Sequence, residues 1–269
     1  MSRPWVIDIE TVPVGTTRDR GCGVPDAWLD AVPFVPPTPR AVSSSYRDPA
    51  LIAARQRHLE ERYQQDRAEA KHQWFAKRVD AWKARALSPY TAEVVAIAMH
   101  PVQADAPTSP DDVAVRLTQD TCTERGLLLD LEQKLAQHQV SHLVHWSTYD
   151  PPVLREAMCR HDLELPHLQG LTRQSVRGRA WYPRCLDASV LTHARHANFG
   201  RHWGLKHIAA QLGWDDPAGV KSAEVYDAFL AGDLDGCAER AAVDVYLVLR
   251  ILERERALCD VLDWARGGR

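Results

Sequence analysis

Residues 5–10 read Trp-Val-Ile-Asp-Ile-Glu and lie almost at the start of the chain. Apolar and β-branched residues over so short a stretch predict a buried strand. Side chains two residues apart on a strand point to the same face, so Asp8 and Glu10 are expected to converge on one spot. Two carboxylates among apolar neighbours are costly to bury unless a cation or hydrogen bonds neutralise them. The stretch therefore predicts either an edge strand whose polar face meets water, or a divalent-metal site built from oxygen ligands.

The second acidic segment is 145–150, which reads His-Trp-Ser-Thr-Tyr-Asp. It ends in Asp150 and is followed by Pro151 and Pro152. A short strand is predicted over 143–146, and the prolines indicate a helix that begins at Asp150 and runs to 161. Acids at such strand-to-helix junctions often belong to catalytic sites in open α/β sheets. A helix N-cap would produce the same pattern.

The third acidic segment is the apolar run 241–249, in which Asp244 is the one acid. This run lies inside a helix predicted over 234–252. The neighbours of Asp244 are residues that must enter the core. The helix either keeps one polar edge in water or turns Asp244 towards a site.

The composition excludes several classes of protein. The 269 residues are 45% hydrophobic and 26% charged, which is ordinary for a globular protein and excludes disorder or a rod over the whole chain. No apolar run approaches the roughly 18 residues of a membrane helix, and Asp8 and Glu10 interrupt any signal-peptide core. The six cysteines are scattered without CxxC spacing, which favours reduced, mostly buried thiols and a cytoplasmic location. The net charge of −3 means that any nucleic-acid surface is a local patch.

The remaining periodicity predicts an α/β fold with a mixed sheet of about five strands. A loop is expected over 164–184, and the chain from Cys185 onward is expected to be mostly helical. Further elements are predicted as strands over 93–100 and 113–118 and as helices over 123–137, 204–212 and 222–230.

One domain is expected over 1–269, with a loop and helical insertion at 20–90. The stretch 49–87 begins with a helix start at Asp48 and Pro49, and nine Lys and Arg oppose five Asp and Glu within it. It predicts one long helix or two helices folded back, and a hairpin packed on the body is the default. Three roles stay open for it: a lid over the site, a dimerisation surface, or an arm that docks a protein partner.

In order and character, the three acidic segments resemble the three motifs of the DEDD 3′–5′ exonuclease superfamily, which has a ribonuclease-H-like fold. The first motif is matched by Val-Ile-Asp-Ile-Glu-Thr-Val-Pro at 6–13, the second by the stretch that ends in Tyr149 and Asp150, and the third by the helix that carries Asp244. More closely, the chain resembles predicted bacterial and phage exonucleases related to the proofreading domains of B-family polymerases. The stretches 46–52, 86–97 and 205–209 carry that closer likeness.

The resemblance implies a metal-dependent nuclease that hydrolyses phosphodiester bonds from the 3′ end. Asp8, Glu10 and Asp244 would hold the catalytic metal, Asp8 would bridge to a second ion, and Asp150 would act on that second ion. Two Mg²⁺ or Mn²⁺ ions can activate a water and stabilise the leaving 3′ oxygen of an in-line displacement at phosphorus. The expected substrate is single-stranded nucleic acid or a 3′ end, and the resemblance favours DNA over RNA.

One departure concerns the third motif, where the superfamily has a tyrosine four residues, or a histidine five residues, before the last aspartate. Arg240 and Glu239 stand at those positions. Either the metal ions suffice, or Glu239 serves as the base, or activity is attenuated. We expect Arg240 to contact the scissile phosphate. The alternative function is a catalytically weak nuclease-fold module that binds nucleic-acid ends or recruits a partner.

Further substrate contacts are expected from Thr11 and Tyr149, beside the first two motifs, and from Lys206 and Arg201 in a basic, histidine-rich segment. Basic side chains neutralise phosphates and exposed aromatic rings stack on bases. The arginines of the 173–184 loop, with its Trp and Tyr, fit a single-strand groove as well as a solvated loop. The histidines at 193–207 fit no common zinc module, and phosphate-binding glycine loops are absent from the sequence.

Overall fold

The computed structural model describes residues 3–16, 18, 22–41, 48–103, 105–119, 123–146, 149–173, 184–189, 191, 204–214 and 221–266. The chain divides into two compact units. The smaller unit spans 15–84 and overlaps the stretch that the sequence predicts as an insertion. The larger unit combines residues 1–14 with residues 85–269.

The smaller unit contains two helices, α1 (Asp26–Asp30) and α2 (Pro49–Lys83). The Asp48 side chain caps α2 by accepting a hydrogen bond from the Ala50 amide at 2.8 Å. After Pro49 nothing breaks the helix, because neither glycine nor proline follows until its end. The expected helical hairpin is therefore wrong: α2 is one continuous helix of 35 residues. Near its end, the Trp82 ring contacts Trp28 of α1 with 5.3 Å between centroids.

The larger unit is an α/β structure built on one five-stranded mixed sheet. The strands are β1 (Arg3–Pro13), β2 (Ala92–Pro101), β3 (Val115–Thr118), β4 (Val140–His145) and β5 (Cys185–Asp187). The helices described are α3 (Glu124–Gln137), α4 (Asp150–Arg160), α5 (Pro166–Leu171), α6 (Leu205–Gln211), α7 (Val225–Ala231), α8 (Leu234–Arg254) and α9 (Leu258–Ala265). Short 3-10 turns lie at Ala84–Leu87, Pro110–Asp112 and Ser222–Glu224.

The strand order in the sheet is β3-β2-β1-β4-β5. Strand β1 is antiparallel to β2 and parallel to β4, and β4 is parallel to β5. The carboxyl ends of β1, β4 and β5 therefore meet at one edge of the sheet, where open α/β sheets place their ligands.

The two faces of the sheet carry separate apolar clusters. Trp5, Ile7 and Ile9 of β1 pack with the leucines of α3 and with α4, whereas Val6 packs with the buried face of α8. This alternation confirms the predicted buried strand. Because side chains two residues apart share a face, Asp8 and Glu10 lie with Val6 on the α8 side of the sheet.

Two of the predicted boundaries are wrong. The expected loop at 164–184 contains helix α5, because Pro166 occupies its first turn, where proline favours a helix start. Cys185–Asp187 is a strand at the start of the segment expected to be helical. Three residues are too few to show a strand period.

The cysteines differ in part from expectation. The five that the structure describes form no disulfide with one another, but Cys237 alone among them is buried, and Cys159 and Cys259 are exposed. Within the described part of the chain, no helix combines the length and hydropathy that a membrane span requires.

Candidate metal centre

Asp8 and Glu10 enter the site from the carboxyl half of β1. Their directly paired neighbours on β2 are Ala98 and Ala96, both fully buried. Paired residues of an antiparallel ladder share a face, so these small side chains leave room around the two carboxylates. The pairing register shifts between Glu10 and Thr11. Such irregularities re-aim side chains and are common beside active sites.

Asp244 reaches the same place from α8, which packs across β1 and β2. The helix is buried along most of its length, including Val243 and Val245 on either side of Asp244. One carboxylate oxygen from each of Asp8, Glu10 and Asp244 lies within 4.8 Å of the others. The structure thus brings together three acids that are up to 236 positions apart in the sequence (244 − 8).

Asp150 begins α4 directly beyond the carboxyl end of β4 and is 4% exposed. Its Oδ2 atom is buried and has no hydrogen-bond partner among the described residues. Burial raises the pKa of this carboxyl well above its ordinary value, and the nearby Asp187 and Asp244 carboxylates raise it further. A buried carboxylate oxygen without a donor is a place for a cation.

Asp187 is a further acid beside Asp150 that no sequence pattern singles out. It ends β5, opposite His145 in the register with β4, and its Oδ1 accepts a hydrogen bond from the Ser189 amide at 2.9 Å. Its charge is the largest electrostatic influence on Asp150 after burial. An acid at the end of a strand next to β4 is the signal that could identify Asp187. A strand of three residues has no sequence pattern, however, so the position of β5 cannot be predicted.

The crowding of acids perturbs the two carboxylates of β1. Burial raises the pKa of Glu10 to about 8, with Asp244 adding to the shift and Arg240 and Lys206 opposing it. Burial likewise raises the pKa of Asp8 well above its ordinary value, with contributions from Asp244, Asp150 and Glu10. Perturbed titratable groups of this kind cluster at functional sites.

A buried arginine faces the acids. Arg240, also on α8, is completely buried and donates a hydrogen bond from Nη2 to Oδ1 of Asp244, one helical turn ahead. Its Nε atom lies 4.0 Å from Oε1 of Glu10. The guanidinium thus contacts two of the three clustered carboxylates.

The other predicted contact residues have different surroundings. The hydroxyl groups of Thr11 and Tyr149 lie 3.2 Å apart, and both donate to the Ala86 carbonyl. Lys206, in the first turn of α6, is close enough to Glu10 to lower the pKa of that carboxyl. Glu239 is half-buried on α8. Arg201 lies outside the described residues, as do the histidines at 193–202 and most of the basic loop at 173–184.

The donor set suits a hard divalent cation. Carboxylate oxygens are the ligands that Mg²⁺ and Mn²⁺ prefer. The three converging carboxylates are donors that could hold such a cation.

Comparison with known proteins gives no family assignment. No protein-family model matches the sequence, and no curated protein shows significant similarity to it.

Proposed function

We propose that the protein is a metal-dependent 3′–5′ exonuclease with a ribonuclease-H-like core. The observation that carries the proposal is the convergence of Asp8, Glu10 and Asp244 within 4.8 Å, from two different elements of the fold. These are the acids that the resemblance to the DEDD exonucleases assigns to the metal.

The architecture gives independent support. A mixed five-stranded sheet flanked by helices is the type of fold that the resemblance implies, and the acids gather at its ligand-binding edge. Asp150, the acid matched to the second motif, lies at that edge with a buried oxygen that no described residue satisfies.

In this proposal Asp8, Glu10 and Asp244 hold a divalent cation, and Asp150 completes the site. Bound metal would lower the pKa of a water and neutralise charge on the phosphate and the leaving 3′ oxygen. The contribution of the chain is to hold its carboxylates in place before substrate binds. The buried core around β1 and α8 provides that rigidity.

The substrate class follows from the charges beside the acids. Lys206 acts on Glu10 from α6 and is suited to neutralise a phosphate of the bound strand. Thr11 and Tyr149 form a hydroxyl pair next to the acids of the first and second motifs. We propose DNA, bound by its 3′ end, as the substrate, because the resemblance favours it over RNA. Glu239 is the proposed base, since it stands where related enzymes have a histidine.

The test is degradation of a 5′-labelled single-stranded DNA, with an RNA of the same sequence in parallel. Each is incubated with Mg²⁺, Mn²⁺ or a chelator. We expect a ladder that shortens from the 3′ end with either metal, is absent with chelator, and falls at least 100-fold in Asp8→Ala, because that change removes a metal ligand. The matched control is Asp130→Asn, an exposed acid on α3, which keeps wild-type activity.

One observation favours a second candidate function. The position of the superfamily's tyrosine is occupied by Arg240, which is buried and bonded to Asp244. A module that binds nucleic-acid ends without cutting them would tolerate that change. Intact DNA in every lane, together with tight binding of the labelled strand, would favour this module and contradict the exonuclease.

A further inference from the structure

Arg240 is a permanent component of the acidic site. Its side chain is 0% exposed, and it lies among buried residues of α8 that include Ala241 and Ala242. A guanidinium keeps its proton at every accessible pH, and a buried one persists only when carboxylates face it. The positive charge of Arg240 therefore stays beside the acids.

The guanidinium already engages the ligands that a metal would use. Asp244 Oδ1 accepts its hydrogen bond, and Glu10 Oε1 lies 4.0 Å from its Nε. Two-ion sites hold their ions about 3.5–4 Å apart and share carboxylates between them. A cation fixed against two of the acids competes for that shared space and repels a further cation placed beside it.

Asp150 offers the cluster a further oxygen that remains for an ion. Oδ2 of Asp150 is buried and has no hydrogen-bond partner among the described residues. Asp8 interacts electrostatically both with Asp150 and with Asp244.

We propose that Arg240 takes the place of one of the two divalent ions, so that the site binds a single divalent cation. Arg240 is thereby a positioning residue, which holds Glu10 and Asp244 from within the core. This is a different role from the phosphate contact that the sequence predicts. The inference rests on the proposed function, because it presupposes that the acids bind metal.

The test is the number of Mn²⁺ ions bound per chain, measured by the electron paramagnetic resonance signal of free Mn²⁺ during a titration. Wild type is expected to bind one ion and to show no spin coupling between ions. Arg240→Gln removes the charge and is expected to bind two, with the broadened signal of a coupled pair. Arg240→Lys restores a cation and is expected to return to one ion.

Arg250→Gln is the matched control, since Arg250 lies on the same helix and pairs with Glu253. It is expected to bind one ion. Two ions in wild type, or one ion in a folded Arg240→Gln protein, would overturn the inference and leave the proposed function standing. If Arg240→Gln does not fold, the wild-type and Arg240→Lys counts decide. Absence of Mn²⁺ binding in wild type would instead overturn the proposed function, and the inference with it.

Discussion

At the scale of single residues, the clustered acids lower the free energy of unfolding of the protein when no metal is bound. Three carboxylates are gathered within 4.8 Å, and a fourth, Asp150, is buried beside them. Like charges brought together away from water cost free energy. Arg240 compensates one charge of this group. Local arrangements that oppose stability are expected at functional sites, where binding a ligand relieves them.

Glu10 gives this cost a measurable pH dependence. The pKa of Glu10 is raised to about 8 in the folded protein, from an ordinary 4.5. Between these two pH values the folded state holds a proton that the unfolded state releases, so the contribution of Glu10 to stability is most favourable below pH 4.5 and is lost as the pH rises towards 8. We expect Glu10→Gln to flatten this slope in chelator and to raise the free energy of unfolding at pH 7 by as much as about 3 kcal/mol.

The measurement is urea unfolding of metal-free wild type and Glu10→Gln between pH 5 and 8. Asp130→Asn is the control, because Asp130 is an exposed acid on α3 that does not belong to the acidic cluster. A Glu10→Gln protein whose pH slope equals that of wild type would contradict the assignment of a buried, protonated Glu10.

At the scale of elements, one buried carboxylate, Glu124, joins helices α3 and α4 to strand β2. Glu124, in the first turn of α3, accepts a hydrogen bond from the Val94 amide of β2 at 2.7 Å. It also pairs with Arg160 at the end of α4, at 3.1 Å, and with His161 at 2.7 Å. Since α4 begins at Asp150, Glu124 fixes the far end of the helix that presents this acid to the site.

We expect Glu124→Gln to lower the free energy of unfolding by about 2 kcal/mol, because it removes the charge of a buried carboxylate that faces the partly exposed Arg160. Asp130→Asn, on the exposed face of the same helix, should change it by less than about 0.5 kcal/mol. Chemical unfolding at pH 7 measures both. Equal values for the two variants would show that Glu124 does not hold α3, α4 and β2 together.

The elements differ in how far the sequence could predict them. β1 is predictable, because apolar residues alternate around Asp8 and Glu10, and α4 is predictable from the prolines after Asp150. α5 lies within the stretch that the sequence predicts as a loop, and the three residues of β5 are too short for any period. For α2 the sequence leaves one long helix or two folded helices open, and the absence of glycine and proline after Pro49 is compatible with the single helix that the structure has.

At the scale of the whole molecule, the site depends on contacts that sequence spacing does not encode. Asp244 meets Asp8 because α8 packs across β1, and Asp187 joins Asp150 because β5 runs parallel to β4. The three acidic motifs were recognised through their order, as a resemblance, and their convergence follows from sheet topology. Asp187 belongs to no motif, so it emerges from the fold alone, whereas Arg240 and Asp244 stand four residues apart on one predicted helix, a spacing at which side chains meet.

The central claim, that this chain removes nucleotides from a 3′ end by means of its acidic cluster, is tested most directly with paired circular and linear DNA. Single-stranded circles and their linearised form, of identical sequence, are incubated with the protein and Mn²⁺. We predict that the linear strand is degraded, that a 3′-terminal phosphorothioate block slows its loss, and that the circle stays intact. Cleavage of the circle, or loss of the linear strand that continues in Asp8→Ala, would contradict the account.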